Sequence, residues 1–196
     1  MTIPVEQLQN LNGYTIIELF ELHLVSGVHY NAGSTATTLY KFHNGTNEIN
    51  TSIIWAGEIY RPIACEAQGF EFGDNTTMAR PTLTFANVVG TFSTILEIVN
   101  QVTVFNDLQT ATVKRRRTLV QFLDDVNFTN NINPYGTADP NKELEQQEFI
   151  INKKVVENKN ICSFELVNRI EFEELQIPKL QITKDRFPAV GSFVFQ

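Results

Sequence analysis

The sequence holds little of what catalytic and metal chemistry need. Its 196 residues include two cysteines, three histidines and one tryptophan. Cys65 and Cys162 lie far apart, so no disulfide framework can be read. Each sits in an apolar β-type run, where a free thiol behaves as a small hydrophobe. This usage fits synthesis in a reducing cytosol. His23, His29 and His43 contain no i, i+4 pair, and neither cysteine has a ligand-type neighbour. No metal or other cofactor is therefore expected, and the histidines read as surface or strand residues. A Gly-x-Ser-x-Gly elbow and a phosphate loop are both missing. Asp124-Asp125 and Glu173-Glu174 are adjacent acids. Strand neighbours point to opposite faces, so neither pair is set up for shared acid–base work, and no enzyme is expected.

Long apolar runs are missing too. A membrane-crossing helix needs about 18 or more such residues. The opening MTIPVEQLQN lacks a basic stretch followed by an apolar one, so no secretory signal is expected. Without one, the N-x-Ser/Thr triplets at Asn44, Asn50, Asn75 and Asn127 are chance matches. Basic charge is also scarce, with 15 Lys+Arg against 22 Asp+Glu and a net charge of -7. That balance argues against specific nucleic-acid binding, which needs a basic footprint. It is compatible with a conduit through which nucleic acid passes without sticking.

What is present is a β-rich pattern. Hydrophobic residues make up 42% of the chain, and fifteen phenylalanines predict a core built largely on Phe, Leu, Ile and Val. The length suits one domain over 1–196. Val5, Leu8 and Leu11 fall at helical spacing over 4–11. Residues 15–25 read as a long strand with Ile16, Phe20, Leu22 and Leu24 on one face, interrupted by Glu18. A loop at 31–36, a strand at 39–42 and a turn around Asn44-Gly45 follow. Gly57-Glu58 sits between apolar runs at 53–56 and 59–63 and predicts a primed hairpin turn. Phe92, Ile95, Leu96 and Val99 follow i, i+3, i+4, i+7, so a helix is expected over 91–100 with Thr91 as its cap. Residues 112–122 return to strand. Cys162, Phe164 and Leu166 alternate with Ser163 and Glu165 over 161–170. Final strands are expected at 180–183 and 193–195. The fold class is mainly β, an antiparallel barrel or sandwich with one or two short helices.

Two stretches stand apart. Lys114-Arg115-Arg116-Arg117 is the single basic cluster. On a strand its members divide between two faces, too few for a nucleic-acid patch, so ion pairs within the chain or across a subunit boundary are expected. Residues 128–148 form a polar segment with two prolines and no apolar period. A connection of that length either binds something or is mobile. Pro134 and Pro140 lower its ordering entropy and Tyr135 offers an apolar anchor, so it is expected to be an interface arm.

The order of motifs resembles one family, the minor tail protein L of long-tailed, lambda-like phages. Residues 16–22 (IIELFEL) are similar to its first long strand. Phe42, Ile54-Trp55-Ala56-Gly57 and Tyr60-Arg61-Pro62 are similar to its F…I-x-W/F-x-G-x-x-Y-x-P passage. Gly69-Phe70-Glu71, Arg80-Pro81-Thr82-Leu83 and Ala86-Asn87 match G-F-E…R-P-x-L…A-N. Leu119 and Phe122-Leu123-Asp124 resemble its R-T…F-L-D. Asn133-Pro134 and Ala138-Asp139-Pro140 resemble N-P…A-D-P. Phe149-Ile150-Ile151 with Glu157-Asn158, then Phe164-Glu165-Leu166 and Ile177-Pro178, follow its later runs.

The resemblance implies a structural virion protein of the tail tip that joins the end of the tail tube to a central hub protein, assembled as a trimer. It implies other tail proteins as partners and a virion location after synthesis in the host cytoplasm. Longer members carry a cysteine-rich module associated with an iron–sulfur cluster. Such a site needs about four thiolates, and Cys65 and Cys162 lie outside that region, so the cluster is not carried over. The interface residues expected are Arg115, Arg117, Pro134, Tyr135, Asp139 and Pro140. The alternative is a sugar- or receptor-binding β-sandwich carried by exposed aromatics, with Trp55, Tyr60 and Tyr135 as candidates and core placement favoured for the first two.

Overall fold

The computed structural model describes residues 4, 15–31, 33, 37–45, 51–70, 79–87 and 91–172. The helix expected at 4–11, the strands at 180–183 and 193–195, the acidic pair at 173–174 and the Ile-Pro motif at 177–178 lie outside them.

Among the described residues, nine strands form one sheet: β1 Ile16–His23, β2 Leu39–Asn44, β3 Ile53–Trp55, β4 Glu58–Ile63, β5 Cys65–Gln68, β6 Thr82–Ala86, β7 Thr112–Leu119, β8 Gln147–Glu157 and β9 Ile161–Val167. Their order across the sheet is β3-β4-β2-β1-β7-β8-β9-β6-β5. All pairs are antiparallel except β2 with β4. The sheet is mainly β as expected, yet it does not close into a barrel: β3 and β5 are its open ends. Instead it bends over, bringing Phe42 of β2 edge-on to Phe85 of β6 at 5.2 Å and Phe20 of β1 to Phe70 at 6.3 Å.

The space so enclosed is filled by phenylalanine. Phe20 stacks on Phe42, Phe85 stacks on Phe92 at 3.8 Å, and Phe70 meets Phe149 edge-on. Cys162, Phe164 and Leu166 of β9 point into it, as the alternation predicts. Cys65 and Cys162 are both free and buried, and burial pushes each thiol up to about 12. Helix α1, Thr91–Val102, caps this layer with Phe92, Ile95, Leu96 and Val99. Thr91 is its first helical residue rather than its cap, and the Ser93 amide donates to the Asn87 side chain instead. A one-turn helix α2, Arg169–Phe172, follows β9.

The other face of β1 supports a smaller cluster of Ile17, Leu19, Ile53, Trp55, Tyr60 and Leu123. Trp55 and Tyr60 are fully buried here by the β3–β4 hairpin, as favoured from their apolar runs. The hairpin turn is displaced by one residue from its expected place. Its central pair is Ala56-Gly57, with φ of +54° and +75°, and Glu58 already belongs to β4, opposite Trp55. Two positive φ values make a type I′ turn, where glycine serves the second position as well as the first. The strand expected over 112–122 ends at Leu119 and passes into a 3₁₀ turn, Val120–Phe122. His29, expected on the surface or in a strand, is a buried turn residue: its Nδ1 accepts from the Val25 amide and its Nε2 lies 2.8 Å from the Gln109 carbonyl. His43 is a buried strand residue of β2.

Candidate functional site

The basic cluster lies on β7, and strand alternation divides it. Lys114 and Arg116 share one face; Arg115 and Arg117 share the other. Lys114 pairs with Glu148 at 3.7 Å. Arg115 pairs with Glu18, donates to Gln147 Oε1 at 2.9 Å and lies over the Phe70 ring. This contact accounts for Glu18 in the apolar face of β1: it answers Arg115 at the rim of the phenylalanine layer. Arg116 donates to both oxygens of Glu143, at 3.0 and 3.2 Å, reaches Glu21 at 3.4 Å, and lies 4.4 Å over the Trp55 ring. The Tyr60 hydroxyl donates to Glu21 at 2.7 Å, and His23 sits 3.2 Å from the same carboxylate. Burial pushes the Glu21 carboxyl up, but Tyr60, His23 and Arg116 outweigh it and hold it below its ordinary value. Arg117 has no ion pair within the described residues, and its Nε is buried without an acceptor. Burial and the adjacent Arg115 charge pull its guanidinium below the ordinary value, against the attraction of Glu18 and Glu145.

The polar segment is ordered by its own Asn and Asp side chains. Two 3₁₀ turns, Val120–Phe122 and Asp125–Asn127, lead into it, and it opens on a further turn, Thr129–Asn131, in which Asn130 is left-handed. Asp124 accepts from the Ala56 and Gly57 amides at 3.1 and 2.8 Å. Asn127 accepts from the Ile54 amide at 2.7 Å and donates to its carbonyl at 2.6 Å, standing in for a neighbouring strand on the β3 edge. Asn133 is buried and donates to the carbonyls of Gln121 and Leu123. Further along, the Asp139 amide donates to Phe122 O, Thr118 Oγ1 to Lys142 O, and the Leu144 amide to Arg117 O.

Of the residues expected at an interface, Pro134, Tyr135 and Pro140 are exposed on this segment, and Asp139 is half-buried, accepting from the Asn141 amide. Tyr135 is 57% exposed and meets Phe128 edge-on at 5.9 Å. Val126 and Ile132, the latter 67% exposed, stand on the adjoining turns. Sequence reasoning missed both, because isolated apolar residues in a polar segment carry no period. It also missed the loop after α1, where Phe105 is 88% exposed. Among the described residues no three His, Cys, Asp or Glu side chains converge as a metal site would require. Both nearly buried carboxylates of the β7 cluster, Glu21 and Glu143, face Arg116. Of the aromatics a sugar site would use, Trp55 and Tyr60 are inaccessible.

The family model for phage minor tail protein L matches residues 33–190, and the chain belongs to that family of structural phage tail proteins. It is 37% identical over 105 residues to tail tip protein L of Escherichia phage lambda. That match covers 54% of this chain and 41% of the lambda protein, so it spans about two fifths of that relative's length.

Proposed function

We propose that this chain is a virion protein of the phage tail tip that joins the end of the tail tube to the central hub protein. It acts there as one β-rich unit, 1–196, in a homotrimeric ring built from head-to-tail contacts between unlike patches. It has no catalytic role. The observation that carries this reading is the family match over residues 33–190, together with the lambda relative that is itself a tail tip protein. Supporting it is the polar segment, where Pro134, Tyr135, Asp139 and Pro140 stand on a preformed surface, so docking needs little further ordering. Arg117, without an ion pair among the described residues, is a cation that a carboxylate of a neighbouring subunit can pair with, on the same face of β7 as Arg115.

The test is localisation and copy number. In the phage that encodes this chain, gold-labelled antibody against it should mark the tail tip, and a tip reconstruction should show three copies. Label along the tail shaft would refute the location; one copy or six would refute the trimer. Deleting residues 134–146 is a poor probe of the arm, because it removes Glu143 and strands Arg116. Tyr135→Ala is the cleaner variant: the isolated protein should stay folded while tail assembly falls by about tenfold or more, the effect of losing an aromatic interface anchor.

A further inference from the structure

His29 is fully buried where two segments meet, the turn 25–30 after β1 and the loop 103–110 after α1. Both of its ring nitrogens are engaged. Nδ1 accepts from the Val25 amide at 2.8 Å, so it carries no proton. The proton of the neutral ring therefore sits on Nε2, which donates to the Gln109 carbonyl at 2.8 Å. Thr103 Oγ1 donates to the Val28 carbonyl at the same length. Among the described residues, these two side-chain bonds are the hydrogen bonds that join the turn to the loop. The loop depends on such bracing. Gln109 lies between Leu108 and Thr110, which are left-handed with φ of +67° and +76°. Left-handed backbone is unfavourable for a residue with a Cβ and persists only where its surroundings fix it. Here the Ile151 carbonyl of β8 holds the Thr110 amide, and His29 holds the Gln109 carbonyl.

A second proton on this ring conflicts with the fold. At Nδ1 it sets an N–H against the Val25 N–H, donor against donor, and leaves a charge in a site closed to water. His43, also buried, differs: its nitrogens lie 3.3 and 3.0 Å from the Asn44 and Thr51 carbonyls, so an imidazolium there keeps both partners. Among the described residues no carboxylate pairs with His29. Its own turn contributes Tyr30, and at the end of β1 His23 is paired with Glu21. Glu97 of α1 is exposed. Asp107 of the loop and Glu157 of β8 both close on Lys154. Burial accordingly holds the His29 ring below its ordinary value of 6.5, outweighing the Gln109 carbonyl and the Asn106 side chain, which favour the charged form. Asn106 Oδ1 is buried without a donor, so it is the acceptor toward which a protonated ring can turn. We propose that His29 is a proton-operated latch: uptake of a proton at Nδ1 breaks its bond to the Val25 amide and releases the turn 25–30 from the loop 103–110. The device lies wholly within the chain and is independent of its reading as a virion component.

A base held below its ordinary value contributes fully to stability above 6.5, and that contribution is lost as pH falls toward the folded value. Backbone hydrogen exchange of the full chain at about pH 7.5 and about pH 5.5 tests this, in a range where Glu21 stays ionised. After correction for intrinsic exchange, opening at the Val25 and His29 amides should rise about five- to tenfold on acidification, as for one group that regains its ordinary value on opening. Opening in β9 should not change. No rise at Val25 and His29 would overturn the latch, as would an equal rise through β9, which is unfolding of the whole sheet. His29→Gln supplies a neutral acceptor and donor that do not titrate, so the rise should vanish in it. A rise that persists in His29→Gln would belong to His23 or His43 and would overturn the assignment. The nitrogen chemical shifts of the unmodified ring give a reading that needs no variant. His29 should be the Nε2–H tautomer at neutral pH and should take up its proton only below 6.5, together with the gain in opening. An Nδ1–H tautomer, or protonation without that gain, would refute the latch.

Discussion

Strand β1 separates two packing layers that are held by different physics. Phe20 and Leu22 on one side enter a layer of stacked and edge-on phenylalanines, where burial is non-directional and each ring contributes in proportion to its area. Leu19 and Glu21 on the other side meet Trp55, Tyr60 and Arg116, where one guanidinium faces two nearly buried carboxylates and an indole ring. The Trp55 indole N–H there has no acceptor among the described residues. The first layer depends on volume; the second depends on every partner being in place.

Truncation in either layer should be severe, and the means of rescue should tell them apart. Phe85→Ala removes a ring that touches Phe42, Phe92 and Phe164 and should destabilise by about 3–5 kcal/mol. Arg116→Ala should cost a similar ~3–5 kcal/mol, because it leaves Glu143 buried without its cation and Glu21 with Tyr60 and His23 alone. Arg116→Met combined with Glu21→Gln and Glu143→Gln should recover most of that loss. Phe85→Ala has no charge to neutralise, so no polar change nearby should restore it. Urea unfolding measures both. A triple variant no more stable than Arg116→Ala would show that the outer cluster, too, is held mainly by volume.

A smaller effect distinguishes the layers by pH. Glu21 is held below its ordinary carboxylate value of 4.5 in the fold. A depressed carboxylate stabilises the folded state fully above its unfolded value, and that contribution is lost as pH falls through the lower folded value. The phenylalanine layer contains no such group. The chain's one tryptophan is Trp55, in the outer cluster, so its fluorescence reports that cluster alone. On acidification from neutral pH its emission should shift to the red at a higher pH than far-UV circular dichroism collapses. Tyr60→Phe should cost about 1–2 kcal/mol at neutral pH, move the fluorescence transition to higher pH, and have no effect once Glu21 is protonated. Coincident transitions in the unmodified protein would refute separate stabilities.

The two layers were also unequally legible in the sequence. Phe92, Ile95, Leu96 and Val99, and the alternation at Cys162, Phe164 and Leu166, read correctly because each pattern repeats within one element. The open, bent sheet and the parallel β2–β4 pair left no such trace, since pairing is decided between segments. Phe105 lies between the helix expected at 91–100 and the strand expected at 112–122, in a stretch with no period of its own, and its loop turns it outward. Order in 128–148 was expected on a partner, whereas Asn133 supplies part of it within the chain, and Asn127 braces the turn before it, through side-chain hydrogen bonds that have no period. The Glu18 interruption and the basic cluster were each visible alone; their pairing on adjacent strands was not.

The hairpin turn shows how a distant residue overrides a local rule, and it carries the smallest predicted effect. Glycine at 57 led to a turn at Gly57-Glu58, yet the chain turns at Ala56-Gly57 and accepts a left-handed alanine. Type I′ turns favour Asn-Gly at these two positions, because Asn tolerates positive φ and alanine does not. What stabilises the alanine is Asp124, 67 residues beyond Gly57, whose carboxylate takes both turn amides. Ala56→Asn should therefore stabilise the outer hairpin by about 0.5–1 kcal/mol, by relieving strain while both amides keep their bonds to Asp124. Asp124→Ala should destabilise it by about 1–2 kcal/mol. Applied together, the Asn substitution should recover more than it gains alone, since without Asp124 the turn relies on its own residues. Trp55 fluorescence in urea gives all three values. A drop in stability from Ala56→Asn would mean that the turn is set by packing around Ala56 rather than by Asp124.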